Sequence, residues 1–210
     1  MQRLPLHRLQ NDFKLHMVMQ GKEPADRAMK EQILGGLPGV SLVFPPMEGQ
    51  VNCMHSKLML LFQKRDKDDW LRIGIPTANL TDYDWGYRGG IMENMIFLID
   101  LPKLKDVQPE QTFFMEELLH FCAAKGISEQ VLSQIVSYDF AKTAPLAFVH
   151  SIGGSHTGVE NVKRTGYPGL GEAVKKLGLQ SGKGLEVDYV VRGPRVSLAH
   201  QELTKIRRRR

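Results

Sequence analysis

Apolar and polar residues alternate from Phe13 to Met19 (FKLHMVM), the period-two pattern of a half-buried strand. Pro24 opens a helix-favouring stretch, ADRAMKEQIL, with proline suited to the first turn and Gly35-Gly36 suited to stop it. The apolar run Val40 to Phe44 predicts a second strand, ended by Pro45-Pro46, and Val51 to Phe62 (VNCMHSKLMLLF) predicts a long third one. The charged stretch QKRDKDD reads as a hairpin tip and Trp70 to Ile75 as the returning partner. After the polar loop PTANLTDYDWGYRGG, Ile91 to Ile99 predicts another strand, stopped by Pro102.

From Pro109 the period changes. In PEQTFFMEELLHFCAAK the residues Phe113, Phe114, Leu118, Phe121 and Cys122 recur at helical spacing, and Gly126 suits the C-terminal cap. Ser128 is the expected N-cap of a second helix, SEQVLSQIVSY. Leu146 to Ile152 predicts a strand, GGSHTG a glycine-rich turn, Gly171 to Leu177 a short helix, and Leu185 to Val191 a last strand. This mixed order predicts an α/β fold, a mixed central β-sheet flanked by helices. No stretch rich in Pro, Gly or Ser divides the chain, so residues 1–199 are expected to form a single domain.

Composition excludes several classes. With 210 residues, 42% hydrophobic and 24% charged, the chain is globular rather than disordered, and long enough to need no staples. Two cysteines, Cys53 and Cys122, make no disulfide framework and lack zinc spacing, which points to a reducing compartment. No apolar run approaches the ~18–20 residues of a membrane span, and the first residues lack the apolar stretch of a secretory signal. The net charge of +5 is uneven: from Ser151 onward there are 12 Lys and Arg against 5 Asp and Glu. Residues 200–210, ending in Arg207 to Arg210, are expected to form a basic, disordered tail. Its sharper readings are a nuclear localisation cluster or a non-specific phosphate contact.

The segment MHSKLMLLF carries the chemistry. In a strand His55 and Lys57 share one face, with Cα atoms about 6.5–7 Å apart. An imidazole beside an ammonium suits an anionic tetrahedral centre such as phosphate: the ammonium offsets oxygen charge while the imidazole attacks or moves a proton. Alone, this spacing has almost no specificity and describes a surface strand equally well. The context adds to it, because a hairpin return would bring Asn79 of IPTANL back towards His55.

MHSKLMLLF followed by WLRIGIPTANLTDYDW resembles the first HxK…N motif of the tyrosyl-DNA phosphodiesterase family, within the phospholipase D superfamily. ENMIFLIDLP, AFVHSIGGSHTG and GYPGLGEAVKKLGL resemble its fungal branch, and the likeness runs from about Phe13 to about Ala199. The resemblance implies a phospholipase D-type domain in which His55 is the nucleophile, forming a phosphohistidine. Lys57 binds the non-bridging phosphate oxygens and Asn79 completes that cradle. No metal or other cofactor is implied, since Lys57 and Asn79 supply the electrophilic stabilisation. The implied partner is a DNA 3′ end, single- or double-stranded, carrying a covalently linked topoisomerase peptide, in nuclear DNA repair. By the same resemblance Ser155 and His156, in a turn whose backbone N–H groups suit phosphate, border the DNA groove. A solvent-facing histidine in a tight turn is the plainer reading of that pair.

The sequence also departs from the family. The family builds its site from two halves, each giving a His, a Lys and an Asn. Of His7, His16, His55, His120, His150, His156 and His200, only His55 is followed two residues later by Lys. The chain is therefore expected to be a first half lacking its general acid, which is typically worth about 10²–10⁴-fold. Either a truncated gene product or a homodimer that completes the site accounts for this, as does an inactive remnant that binds DNA ends or proteins. The aromatic residue usual in the family four positions before the nucleophile is here Val51, so base stacking is not expected there. Cys53 reads as a buried small residue rather than a metal ligand, Glu93 as a strand-surface carboxylate or an acceptor for the His55 ring, and GLQSGKG fails the spacing of a phosphate loop. Trp70 and Trp85 read as core or rim packing rather than stacking platforms.

Overall fold

A computed structural model of the chain describes residues 14–47, 51, 53–65, 67–86, 89, 93–105 and 110–183. Leu15–Val18 (β1) and Val40–Val43 (β2) pair in parallel, joined by the helix Pro24–Leu34 (α1). Pro24 lies in the first turn of α1, where its missing N–H costs nothing, and Gly35 caps the other end. Met59–Arg65 (β3), Asp68–Pro76 (β4) and Ile96–Pro102 (β5) form a separate antiparallel sheet in the order β3-β4-β5. The hairpin closes at Arg65↔Asp68, so the charged stretch contributes to the strands as well as the tip. The α/β architecture thus holds parallel and antiparallel pairs in two sheets.

Alternation on β4 and β5 creates the core. Leu71 and Ile73 on β4 and Leu101 on β5 point inward and are fully buried. The helix Phe113–Ala124 (α2) lays Phe114, Leu118, Phe121 and Cys122 against them, and Glu129–Val136 (α3) adds Leu132 and Ile135. Each such side chain contributes roughly 1.5–3 kcal/mol on burial. On the other face Arg72 sits opposite Asp100 and binds it in a two-pronged ion pair at 2.7 and 2.8 Å. Thr112 caps α2: its Oγ1 accepts the Met115 N–H at 3.2 Å and lies 2.7 Å from Thr143 Oγ1, which donates to the Phe140 carbonyl. Gly126 follows α2 with φ of 79°, the left-handed conformation that glycine adopts freely. Ser128 precedes α3, but its hydroxyl makes no cap bond; the N–H groups of Val131 and Leu132 reach its backbone carbonyl instead. A short helix Val159–Val162 (α4) leads to Gly166–Lys176 (α5).

Several boundaries differ from the pattern, each for a local reason. The long strand expected over Val51–Phe62 begins only at Met59, so His55 and Lys57 precede it. Pro76, the next position facing β3 after Gly74, has no N–H to give, which weakens the ladder where β3 would continue. The strand expected over Leu146–Ile152 does not form. Its polar groups go to turns and side chains: His150 O accepts from Gly166, Ile152 N–H donates to Thr165 Oγ1, and Ile152 O accepts from the His156 ring. β5 starts at Ile96 rather than Ile91 and ends on Pro102, whose carbonyl still accepts from Asp139. α5 starts at Gly166 rather than Gly171, because Pro168 fits a first helical turn. The strand expected over 185–191 and the basic stretch 200–210 lie outside the described residues.

Candidate active site

His55, Lys57 and Asn79 stem from segments that leave the β3-β4 ladder at the same end. Met59 pairs with Gly74, so the 53–58 segment leaves the sheet at the end where β4 delivers Thr77, Ala78 and Asn79. His55 is exposed and Lys57 half-buried. Lys57 Nζ lies 3.2 Å from each ring nitrogen of His55 and also donates to the His55 carbonyl at 3.2 Å. A neutral imidazole has a single acceptor nitrogen, so the ammonium can bond to one of the two at most. The pairing expected across a strand face is thus made by a folded-back side chain instead.

Asn79 is held through its backbone. Its N–H donates to Asp84 Oδ2 at 2.6 Å, and its carbonyl accepts from Thr81 N–H at 2.9 Å and Trp85 Nε1–H at 2.8 Å. Among the described residues its side-chain amide has no protein partner, which leaves both its ends available to a ligand. Glu93 lies exposed ahead of β5 and makes no hydrogen bond to His55 among the described residues. Cys53 is exposed, not buried, and no cluster of three metal-ligating side chains forms around it or elsewhere among the described residues.

A cleft of about 400 Å³ runs between Ser56, Lys57 and Leu58 on one side and residues 147–151 on the other, with Ile75 and Phe121 beneath. Beyond it the glycine-rich turn packs against the same segment. A Cβ on Gly153 would lie 2.8 Å from Val51 Cγ1, so only glycine allows this approach. Ser155 is exposed in that turn, while the half-buried His156 is spent internally, its Nε2 2.7 Å from the Ile152 carbonyl. The structure therefore brings the turn against Val51 but turns His156 inward.

Sequence reasoning missed the buried network behind the cleft. Glu117 on α2 lies 3.0 Å from His150 Nε2 and accepts from Arg164 at 2.9 Å (Nε) and 2.7 Å. The Glu117 and His150 side chains are only 8% and 2% exposed, which forces the pairing. Desolvation holds the His150 imidazole below its ordinary range, against the opposing effect of its hydrogen bond to the Glu117 carboxylate. Burial, reinforced by Arg164, likewise lowers neighbouring His120. A signal existed: Glu117 stands three residues after Phe114 and four before Phe121, a carboxylate on the apolar stripe of a helix.

Residues 1–194 match the family described as tyrosyl-DNA phosphodiesterase, which is nearly the whole chain. The chain belongs to that family. Among solved structures, the yeast tyrosyl-DNA phosphodiesterase is similar at 19% identity with a TM-score of 0.48, over 70% of this chain and 35% of that one. This chain thus spans about a third of that protein's length. No curated protein matches the chain.

Proposed function

We propose that this chain carries the nucleophilic half-site of a phosphodiesterase acting on 3′-phosphotyrosyl DNA in the nucleus. The observation that carries this reading is the Lys57 ammonium seated 3.2 Å from both His55 ring nitrogens, at the ladder end that also presents the free amide of Asn79. In the proposed reaction an unprotonated His55 nitrogen attacks phosphorus and the P–O bond to tyrosine breaks. Lys57 and Asn79 stabilise the non-bridging oxygens while charge builds on them. The products are a phosphohistidine and a tyrosyl phenolate, which takes its proton from a donor outside this half-site. The turn bearing Ser155 flanks the strand next to the scissile phosphate.

The test is cleavage of a single-stranded oligonucleotide ending in 3′-phosphotyrosine, with denaturing-gel capture of the covalent adduct. Expected is an adduct on the native chain and none on His55→Ala. A folded chain that binds DNA ends without adduct or turnover would instead identify a binding remnant. One further reading has its own observation. Leu61, Ile96 and Leu98 expose apolar surface on the sheet, as a face that receives a second copy would. Turnover rising with the square of protein concentration favours that homodimer.

A further inference from the structure

The turn after β4 is tightly bonded inside and apolar outside. Besides the three bonds at Asn79, the Asp84 carbonyl accepts from Asn94 Nδ2 at 2.8 Å, and Asn94 Oδ1 accepts from the Thr77 hydroxyl at 3.0 Å. Thr77 Oγ1 also accepts the Met95 N–H at 2.9 Å. The polar groups are thus turned inward, while Leu80, Tyr83 and Trp85 stand 65%, 55% and 51% exposed. An exposed indole normally offers its N–H to solvent or ligand. Here that single donor is already given to the Asn79 carbonyl, so the ring has only its π faces left to offer. The same bond fixes the ring beside the free amide of Asn79.

We infer that Trp85 is a stacking platform for an unpaired nucleobase on the strand whose phosphate is bound at Lys57 and Asn79. The inference rests on the proposed function, since it needs a nucleic-acid phosphate at that site. A base adjoining that phosphate is tethered to it, so Trp85 meets it without a separate binding event. Stacking on one ring is sequence-tolerant, because every base has a π face. Three side chains on one turn suffice for a base, whereas a stable protein contact covers about 800 Å² on each partner. The Lys57 ammonium at the same ladder end also favours a polyanionic strand.

The experiment uses the full chain with Trp70→Phe, which leaves Trp85 as the one tryptophan. A 3′-phosphorylated oligothymidylate is titrated in while indole emission is followed, and anisotropy of a labelled copy measures total binding. Expected is saturable quenching, with Trp85→Leu binding about 5- to 150-fold more weakly, the range for loss of one base–aromatic stack, and Trp85→Phe, which loses the same bond to Asn79 but keeps a ring face, weakened less. If Trp70→Phe fails to fold, the anisotropy comparison of Trp85→Leu with the native chain carries the test alone. Oligonucleotide binding that Lys57→Ala weakens but Trp85→Leu does not would overturn the platform and leave the proposed function standing. Binding by no form would overturn both. Emission that shifts with protein concentration and ignores the oligonucleotide would assign the patch to contact between copies, and so overturn the platform.

Discussion

Leucine at position 117 removes the carboxylate that joins α2 to His150 and Arg164 while keeping most of its volume. His150 loses the partner of Nε2, and its Nδ1 is already buried without a partner, so a ring only 2% exposed is left with neither nitrogen satisfied. Arg164 is 38% exposed and turns to water at little cost. Leaving a buried polar group unsatisfied costs about 1–3 kcal/mol, and with both His150 nitrogens unmet Glu117→Leu sits at the upper end of that range. That is a large part of the roughly 5–15 kcal/mol that holds a domain folded. Phenylalanine at 150 enters an aromatic nest, with Phe121 and Phe148 ring centroids 5.5 and 6.0 Å from the present imidazole. It leaves Glu117 bound to Arg164, so His150→Phe alone costs about 1–2 kcal/mol. The double variant removes both partners together and is expected to recover at least 1 kcal/mol of the summed costs. Urea unfolding of the four proteins, extrapolated linearly, measures the cycle. Additivity within about 0.5 kcal/mol, or a cost below 1 for Glu117→Leu, would refute the account.

Other consequences are open to simple assays. His150 and His120 sit below their ordinary value in the fold, so the unfolded chain binds more protons as pH falls. Their stabilising contribution is full above about pH 6.5 and is lost as pH drops from there through the folded values. The urea midpoint should therefore decline between pH 7 and 5, less steeply in His150→Phe; equal slopes would sink the assignment. Burial pushes the Cys122 thiol up to about 12 while Cys53 is exposed, so a thiol reagent at pH 8 should label one cysteine in the native chain and two in denaturant. Thr143→Val removes the hydroxyl that receives the Thr112 bond and serves the Phe140 carbonyl, and should cost about 1–3 kcal/mol in thermal unfolding. A loss under 0.5 would mean that the buried pair is dispensable.

How much was legible depended on where each bond partner lay. α1, α2, α3 and the β3-β4 hairpin follow from period, proline and glycine, all local signals. The 53–58 and 146–152 segments are as apolar as strands, and the pattern alone reads them so. Whether they join a ladder was decided elsewhere, by Pro76 withholding an N–H and by Gly166, Thr165 and His156 occupying the polar groups of 150–152. Such competition is non-local and leaves no period. At the site, the spacing of His55 and Lys57 was enough to bring them together, though through a bent lysine rather than a strand face. Trp85 was read as packing because an aromatic residue in a polar loop usually covers something. Its exposure is visible only once the turn closes on Asn79.

The placement of these residues bears on what the proposed half-site can do alone. In-line displacement puts the attacking and leaving groups on opposite sides of phosphorus. His55, Lys57 and the amide of Asn79 all stem from one end of one sheet, so a phosphate cradled there presents its leaving oxygen away from them. Lys57 is thereby badly placed to protonate a departing tyrosyl oxygen, and among the histidines His150 and His156 are committed to Glu117 and to the Ile152 carbonyl. The buried network behind the cleft joins α2 to His150 and Arg164 and so stabilises the wall. On the proposed reading, attack and oxyanion stabilisation belong to the described residues, and proton donation must be supplied from a surface apposed to them. Adduct formation and turnover are therefore separable measurements on this chain, and the first can succeed where the second fails.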